Sequence, residues 1–133
     1  MDKKLKAKLD KVFSEYIRLR DLHADNSTFT CISCGRIKGK EQMDAGHFWN
    51  RVHTATRWDE KNVHGECRYC NRFDENHLLK YKEHLIAKIG QQEYDLMEMR
   101  KNSMSKVGDF EAKVLIKYYQ DKIKEEKKLR GIC

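Results

Sequence analysis

Apolar residues recur every three or four positions in three long stretches of the chain, the spacing of one face of an α-helix. The first helix is predicted over residues 2–23, the second from about residue 71 to Gly90, and the last over residues 106–129. A shorter helix is predicted over residues 91–100. Gly90 should end its helix, since glycine is common just past a helix C-terminus. Ser105 is expected to cap the last helix.

The segment over residues 28–77 lacks helical periodicity and contains short stretches that favour strands. Strands are predicted at residues 28–31, at residues 43–50 and directly before Cys67, with a turn at residues 38–40. We therefore expect one α+β domain over residues 1–133. It would consist of an N-terminal helix (1–25), a metal-bound core (28–77) and a C-terminal helical region (78–133).

Composition adds two expectations about stability and partners. The 133 residues are 39% hydrophobic and 37% charged, against roughly 25% charged in a typical domain. Such a chain builds a thin core, which suits a fold held together by a metal or a second subunit. The net charge of +7 and the pI of about 9.1 favour a nucleic-acid partner. The alternative is a Lys-rich protein without a polyanionic ligand.

The N-terminal residues form an amphipathic pattern and not the apolar core of a signal peptide. No apolar run approaches the roughly 20 residues that cross a membrane. We therefore expect a cytoplasmic protein without a membrane partner, in a compartment that keeps thiols reduced.

Two Cys-x-x-Cys pairs predict a structural zinc site formed by Cys31, Cys34, Cys67 and Cys70. Four thiolates complete a tetrahedron, which leaves no position for water or substrate. His47 or His64 could in principle replace one thiolate, although four cysteines already satisfy the metal. A disulfide or thiol-redox protein is the alternative that a reducing compartment disfavours. Cys133, alone at the end of the chain, is expected to be inert.

His47 stands between the two cysteine pairs, and its surroundings suggest phosphodiester hydrolysis. That reaction needs a base to take a proton from water and a cation to stabilise the leaving oxygen. A neutral imidazole supplies the base near pH 7. The carboxylate of Asp44 and the side-chain oxygen of Asn71 are ligands suited to Mg²⁺ or Mn²⁺. Because Asn71 directly follows Cys70, the zinc site would fix its position.

These motifs together resemble a known family. The series Asp44-Ala-Gly-His47-Phe, then Asn62-Val-His64-Gly-Glu-Cys67-Arg-Tyr-Cys70-Asn71, then Asn76 and Tyr81 resembles the NinG/Rap family of lambdoid phage recombination endonucleases. The similarity covers residues 29–100. The spacing is also similar to that of HNH, or His-Me finger, nucleases, and among them to the zinc-containing recombination endonuclease VII of T-even phages.

The resemblance implies a zinc-stabilised ββα-metal core flanked by N- and C-terminal helices. His47 would be the general base, Asn62 would steady the imidazole or the turn, and Asn71 would bind the catalytic Mg²⁺ or Mn²⁺. HNH enzymes carry an acidic ligand directly before the histidine, where this chain has Gly46. The second metal ligand is therefore either Asp44 or His64.

The spacing of Asp44 and His47 poses a geometric problem for a shared site. Residues three apart on a regular strand point to opposite faces. A bulge or turn at Gly46 would bring them together.

The resemblance predicts a metal-dependent DNA endonuclease acting on D-loops and Holliday junctions. Expected nucleic-acid contacts are Arg51, His53, Arg57, Arg68 and Arg72. The alternative is a non-catalytic zinc module that binds DNA or a recombination protein. In that case Asp44, His47 and Asn71 would share no cavity.

Symmetric cutting of a junction would suit a two-fold homodimer. The apolar faces of the N- and C-terminal helices would then either pair between subunits or pack on their own core.

Overall fold

Six helices surround two short antiparallel hairpins in the computed structural model, which describes residues 1–133. The helices are α1 (Lys3–Arg20), α2 (Thr54–Arg57), α3 (Arg68–Arg72), α4 (His77–Ile89), α5 (Gln91–Lys101) and α6 (Asp109–Arg130). The strands are β1 (Thr28–Thr30), β2 (Ile37–Gly39), β3 (Met43–His47) and β4 (Val63–Cys67), with a short 3-10 helix over Lys40–Gln42. The fold is therefore mixed α+β and mostly helical, as expected.

The two hairpins meet at the cysteine-rich end of the core. β1 pairs with β2, a strand where only a turn was predicted. β3 pairs with β4 in unbroken register, from Met43 opposite Cys67 to His47 opposite Val63. α3 begins at the residue after β4, so the chain turns directly from the hairpin into a helix.

The N- and C-terminal helices pack against each other within one chain. α1 buries Leu9, Phe13 and Ile17 in the same cluster as Ile116 and Tyr119 of α6. The rings of Phe13 and Tyr119 meet edge to face, with centroids 5.0 Å apart. The sequence left open whether these helices pair between subunits or pack within one chain. In this structure they pack within one chain.

The β3–β4 hairpin lies between this helix pair and a second cluster. Ala45 and Val63 join the cluster of α1 and α6, whereas Tyr81 and Leu85 of α4 pack with Phe48 and with residues of α5. Because successive side chains of a strand alternate between faces, Asp44, Gly46, His64 and Glu66 share the face towards α3 and α4.

The helix ends follow one capping prediction and depart from the other. Gly90 ends α4 with a positive φ of 90°, a conformation that glycine adopts without a steric penalty. α6 begins after Gly108, so Ser105 does not cap it. None of these helices combines the length and the apolar character that crossing a membrane requires.

Candidate functional site

Four cysteines come together where the two hairpins and α3 meet. The sulfur atoms of Cys31, Cys34, Cys67 and Cys70 all lie within 4.8 Å of one another. Cys31 Sγ accepts hydrogen bonds from the backbone N–H groups of Cys34, at 3.4 Å, and Cys67, at 3.3 Å. This four-sulfur arrangement suits a zinc ion.

Burial keeps the Cys31 thiol protonated when no cation is bound. Burial raises the pKa of Cys31 to about 11, so without a nearby cation the thiol stays protonated at neutral pH. A bound divalent ion favours the thiolate. Neither His47 nor His64 belongs to the group of potential ligands, so the sulfur set alone would hold the ion.

Asp44 and Asn71 lie next to each other beside this cluster. Asn71 donates a hydrogen bond of 3.0 Å from Nδ2 to Asp44 Oδ2. Arg72 donates from Nε to the same oxygen and from Nη2 to Oδ1, both at 2.9 Å. Arg68 adds a longer ion-pair contact of 3.9 Å. The Asp44 carboxylate is therefore held by one amide and two guanidinium groups.

The Arg72 guanidinium occupies the position where a metal ion would bind the Asp44 carboxylate. The Arg72 side chain is 55% exposed, so it can swing into solvent. A rotation of the Asn71 amide would then present its oxygen beside the carboxylate. Carboxylate and amide oxygens are the hard ligands that Mg²⁺ and Mn²⁺ prefer, so the pair fits such an ion after these two movements.

His47 lies on the opposite face of the hairpin. Its Nε2 donates to the Arg57 carbonyl oxygen at 2.9 Å, which leaves Nδ1 as the nitrogen that can accept a proton. Burial lowers the pKa of His47, and the nearby Arg51 charge acts in the same direction. The imidazole is therefore neutral near pH 7.

The expected bulge at Gly46 does not occur, because β3 pairs with β4 without interruption through Gly46 and His64. A side chain at position 46 would also collide with β4: a Cβ there would lie 2.3 Å from Glu66 Oε1 and 2.9 Å from Glu66 Cβ. Glycine thus permits a close cross-strand approach and does not redirect the strand. As a result, His47 does not share a cavity with Asp44 and Asn71.

Glu66 is a buried acid that sequence reasoning missed. It is fully buried, and it is bonded to the Ser33 hydroxyl and, at 2.6 Å, to His77 Nδ1. Its other oxygen, Oε1, has no hydrogen-bond partner. Burial raises the pKa of Glu66. The signal in the sequence was its two-residue spacing from His64, which places both side chains on one face of β4.

His64, the alternative second metal ligand, is buried against α4 and makes no hydrogen bond to Asp44 or Asn71. Its Nδ1 lies 3.3 Å from the Tyr81 hydroxyl, which donates to the Gly46 carbonyl oxygen at 2.6 Å. Burial lowers the pKa of His64 to about 3. The structure therefore places Asp44, and not His64, beside Asn71.

Asn62 holds the loop between β3 and β4. Its side-chain oxygen accepts from the Trp49 N–H at 2.8 Å, and its Nδ2 donates to the carbonyls of Trp49 and Thr56, both at 2.9 Å. The residue is fully buried. These hydrogen bonds fix the turn after His47, and none of them involves the imidazole.

The expected nucleic-acid contacts fall into two groups. Arg57 is occupied by Asp10 of α1, with Nη2 at 2.6 Å and Nε at 3.0 Å from the two carboxylate oxygens. Its side chain is 13% exposed, so this ion pair is partly buried, and the expected phosphate contact of Arg57 stays a prediction. Arg51 is exposed and His53 half-buried, whereas Arg68 and Arg72 flank Asp44 on the surface.

Comparison with known proteins gives one consistent result. The family model described as "Bacteriophage Lambda NinG protein" matches residues 2–129. Protein ninG of Escherichia phage lambda is 33% identical over 117 residues, which are 87% of this chain and 54% of the relative. Protein ninG of Salmonella phage P22 is 32% identical over 111 residues, 83% of this chain and 51% of the relative. The chain thus spans about half the length of the curated relatives it matches, and no solved structure shows a significant match.

Proposed function

Because this chain belongs to the bacteriophage lambda NinG family, we propose that it is a metal-dependent DNA endonuclease of the Rap and HNH (His-Me finger) type. Its proposed substrates are the branched intermediates of recombination, D-loops and Holliday junctions, and this substrate choice rests on the family resemblance. The observation that carries the proposal is the contact between Asp44 and Asn71 directly beside the four-cysteine cluster.

The proposal assigns two metals to two separate sets of ligands. Cys31, Cys34, Cys67 and Cys70 would hold a structural Zn²⁺. Asp44 and Asn71 would hold Mg²⁺ or Mn²⁺, which when bound polarises the phosphodiester and stabilises the leaving oxygen. The first site positions the second, since α3 carries both Cys70 and Asn71.

The two arginines of α3, Arg68 and Arg72, would contact the DNA. Arg72, once displaced from Asp44, would face the phosphate whose ester bond is cleaved, and a guanidinium binds two phosphate oxygens at once. Arg68 lies on the same helix and is equally exposed, at 55% of its side chain. Arg51 and His53, which follow β3, are the proposed contacts to flanking phosphates.

The resemblance assigns the role of general base to His47. Its neutral imidazole and fixed orientation suit the role, but its position on the far face of the hairpin favours a second route. In that route the proton of the attacking water passes to bulk solvent. His47 then has a structural role, since its imidazole donates a hydrogen bond to the Arg57 carbonyl oxygen. Cleavage by a His47→Ala variant separates the two, because only the first route requires the imidazole.

A basic groove between α1 and α6 supports binding to a DNA backbone. The groove has a volume of about 850 Å³ and is lined by Lys8, Lys11, Lys124 and Lys127, with Glu15 as the one acidic residue among those lining it. A second depression shares Glu15 and Lys127, adds Arg18 and Lys40, and reaches Met43. The positive surface therefore leads to the start of β3, one residue before Asp44.

A homodimer is proposed because two symmetric cuts need two active sites. Phe110, Val114 and Tyr118 form an exposed apolar stripe along α6, at 81%, 52% and 48% exposure. Their four-residue spacing places them on one helix face. Sedimentation of the chain and of its Val114→Glu variant tests this pairing: a dimer that the variant dissociates is expected, and a wild-type monomer at micromolar concentration contradicts it.

The test of the proposed activity is cleavage of a four-way junction and a D-loop by the zinc-loaded protein with Mg²⁺ or Mn²⁺. We expect nicks near the branch point, and no nicks from Asp44→Ala or Asn71→Ala protein that still binds DNA. A folded wild-type chain that binds these substrates and cuts none of them with either ion would overturn the proposal.

A second candidate is the non-catalytic zinc module that binds DNA or a recombination protein. The separation of His47 from Asp44 and Asn71 favours it, as does the full pairing of the Asp44 carboxylate by Asn71 and Arg72. It predicts binding that weakens steeply with salt and no cleavage with any divalent ion. The same cleavage assay therefore decides between the two candidates.

A further inference from the structure

Two exposed aromatic rings lie next to the proposed ion site, one on α3 and one on the residue directly after it. Tyr69 is 68% exposed and Phe73 is 72% exposed. Their ring centroids are 6.4 Å apart and their planes are inclined at 36°. The residues are four apart, and the hydrogen bond from the Phe73 N–H to the Tyr69 carbonyl oxygen continues the helical turn, so their side chains lie on one face. Together they form an exposed aromatic surface.

The surroundings of this aromatic pair are strongly positive. Tyr69 lines a cavity of about 450 Å³ together with Arg36, Lys38 and Lys80, and Asp74 is the only acidic residue in its lining. Arg68 and Arg72 are the first and last residues of α3, on either side of Tyr69 and directly before Phe73. A partner with a purely apolar surface would leave these cations unpaired. A nucleic-acid strand instead offers phosphates for the cations and flat base faces for the rings.

The backbone that carries the rings is held in place from two sides. The Tyr69 carbonyl oxygen accepts hydrogen bonds from the N–H groups of Phe73, at 2.9 Å, and Asp74, at 3.1 Å. Cys70 belongs to the four-cysteine cluster, and Asn71 is bonded to Asp44. The rings are therefore presented by a rigid turn, which limits the entropy lost when a ligand stacks on them.

We propose that Tyr69 and Phe73 form a stacking platform for an unpaired nucleobase of single-stranded or branched DNA. Phosphates of the same strand would contact Arg36, Lys38 and Lys80. A base inside a duplex is already stacked on both sides, so the platform selects DNA with bases exposed at a branch point or in a single strand. This inference takes the branched substrate from the proposed function, but stacking requires no cleavage and can be tested without it.

The experiment measures binding by the zinc-loaded chain of 133 residues in buffer without added Mg²⁺ or Mn²⁺. The probes are a single strand containing 2-aminopurine, a branched DNA with unpaired 2-aminopurine at the branch, and a fully paired duplex of equal length. We expect the wild type to change the fluorescence of the exposed 2-aminopurine. The Tyr69→Ala/Phe73→Ala variant should lose roughly tenfold to a hundredfold in affinity for the first two probes, since each base–aromatic stack contributes about a factor of ten or more. Its affinity for the duplex should change less than about twofold, because the basic groove is intact.

Three further variants make the result decisive. Met104→Ala removes an apolar side chain that is 98% exposed between α5 and α6, and it should leave binding of all three probes unchanged. Tyr69→Leu/Phe73→Leu keeps apolar bulk beside the cysteine cluster but lacks aromatic faces, and it decides the question if the alanine variant does not fold. The aromatic variant Phe73→Trp should retain the preference for unpaired bases.

Equal affinities of the wild type and the leucine variant for the unpaired probes would overturn the inference, and so would an equal loss for duplex and unpaired DNA. The first of these results would point to a protein partner for the rings. A failure of the proposed nuclease function looks different: the binding preference would be present, but no DNA would be cut when Mg²⁺ or Mn²⁺ is added.

Discussion

Asn71 donates a 3.0 Å hydrogen bond to Asp44 and thereby joins α3 to the second residue of β3. Asn71 directly follows Cys70, and Asp44 directly follows Met43, which is paired with Cys67. Both oxygen-bearing side chains are thus neighbours of residues that the cysteine cluster holds. A metal bound by the four sulfur atoms would therefore fix the positions of both Asn71 and Asp44. Asn71 follows a cysteine of the cluster, and Asp44 follows a residue that is paired with one.

Replacing either member of this pair should abolish cleavage without weakening DNA binding. Asp44→Ala and Asn71→Ala each remove an oxygen ligand, and we expect the cleavage rate to fall by roughly 100-fold or more. Removal of the Asp44 carboxylate also releases Arg68 and Arg72, so DNA affinity should stay level or rise. Cleavage rates in Mn²⁺ and equilibrium binding measure the two effects. Asp95→Ala, an exposed acid on α5, is the matched control, and a wild-type rate for Asp44→Ala would contradict the assignment.

Loss of the structural metal should unfold the core. Cys70→Ser removes one sulfur from a buried cluster, and we expect the free energy of unfolding to fall by several kcal/mol, as is typical when a structural zinc site is lost. Zinc content by mass spectrometry and thermal unfolding by circular dichroism report the change. Cys133→Ser is the control, because Cys133 is exposed and lies outside the cluster. Full stability of zinc-free protein would argue against a structural metal.

Gly46→Ala should destabilise the hairpin by about 1–3 kcal/mol, the usual range for overpacking. The added methyl group would lie 2.3 Å from Glu66 Oε1 and 2.9 Å from Glu66 Cβ. Because Glu66→Ala removes the first of these contacts, the double variant should lose less than the sum of the single variants. Urea denaturation measures this coupling. Gly108→Ala meets no atom within 4 Å, so it should show no coupling to Glu66→Ala, and its cost should be limited to about 1 kcal/mol because alanine is a poorer N-cap than glycine.

The buried His64 should make the fold sensitive to acid. Burial lowers its pKa from 6.5 to about 3, so the folded chain keeps a neutral imidazole while the unfolded chain takes up a proton below pH 6.5. This contribution to stability is complete above pH 6.5 and is lost as the pH falls from 6.5 towards 3, by at most about 1.4 kcal/mol per pH unit. His64→Gln removes the titrating group, so the stability advantage of the wild type over this variant should shrink between pH 7 and pH 5. A constant difference in unfolding free energy would contradict the buried, neutral state.

Charge reversal in the α1–α6 groove should weaken DNA binding through electrostatics. Lys124→Glu changes a lysine that lines the groove, whereas Lys106→Glu makes the same charge change at an exposed residue outside it. We expect the first to reduce the slope of log affinity against log salt by about one and the second to have little effect. Filter binding between low and physiological salt measures both slopes. Equal changes in the salt slope for the two variants would show that DNA affinity depends on the net charge of the protein and not on the groove.

Periodicity predicted α1 and α6 to within about three residues at each end, but the helix predicted from residue 71 to Gly90 begins only at His77, after the separate short helix α3. The existence of α1 and α6 follows from apolar positions at helical spacing, but their mutual packing does not. In α6 the buried face carries Ile116 and Tyr119, whereas Phe110, Val114 and Tyr118 stay exposed. The four-cysteine cluster was equally predictable from the sequence, because two Cys-x-x-Cys pairs define a closed set of four thiols without knowledge of the fold. β2 was missed because three residues that include Gly39 carry no periodicity.

The arrangement of the site depended on contacts that lie far apart in sequence. Gly46 suggested a bulge, but it pairs with His64, eighteen residues later, and its lack of a side chain leaves room for Glu66 on the same strand, β4. Arg57 looked like a phosphate contact, yet it pairs with Asp10, which lies 47 residues earlier. The unbroken register of β3 with β4 is what places the side chains of His47 and Asp44 on opposite faces of the hairpin.

The pairing of Arg72 with Asp44 makes the guanidinium a tethered counter-ion. A divalent ion that enters between Asp44 and Asn71 must take the place of this arginine, so its apparent affinity is a difference between two cations competing for one carboxylate. The displaced arginine gains a partner only when a phosphate is near. Ion and DNA would therefore strengthen each other's binding by the same factor, as thermodynamic linkage requires. In the absence of DNA, the arginine itself would keep the site closed to the ion.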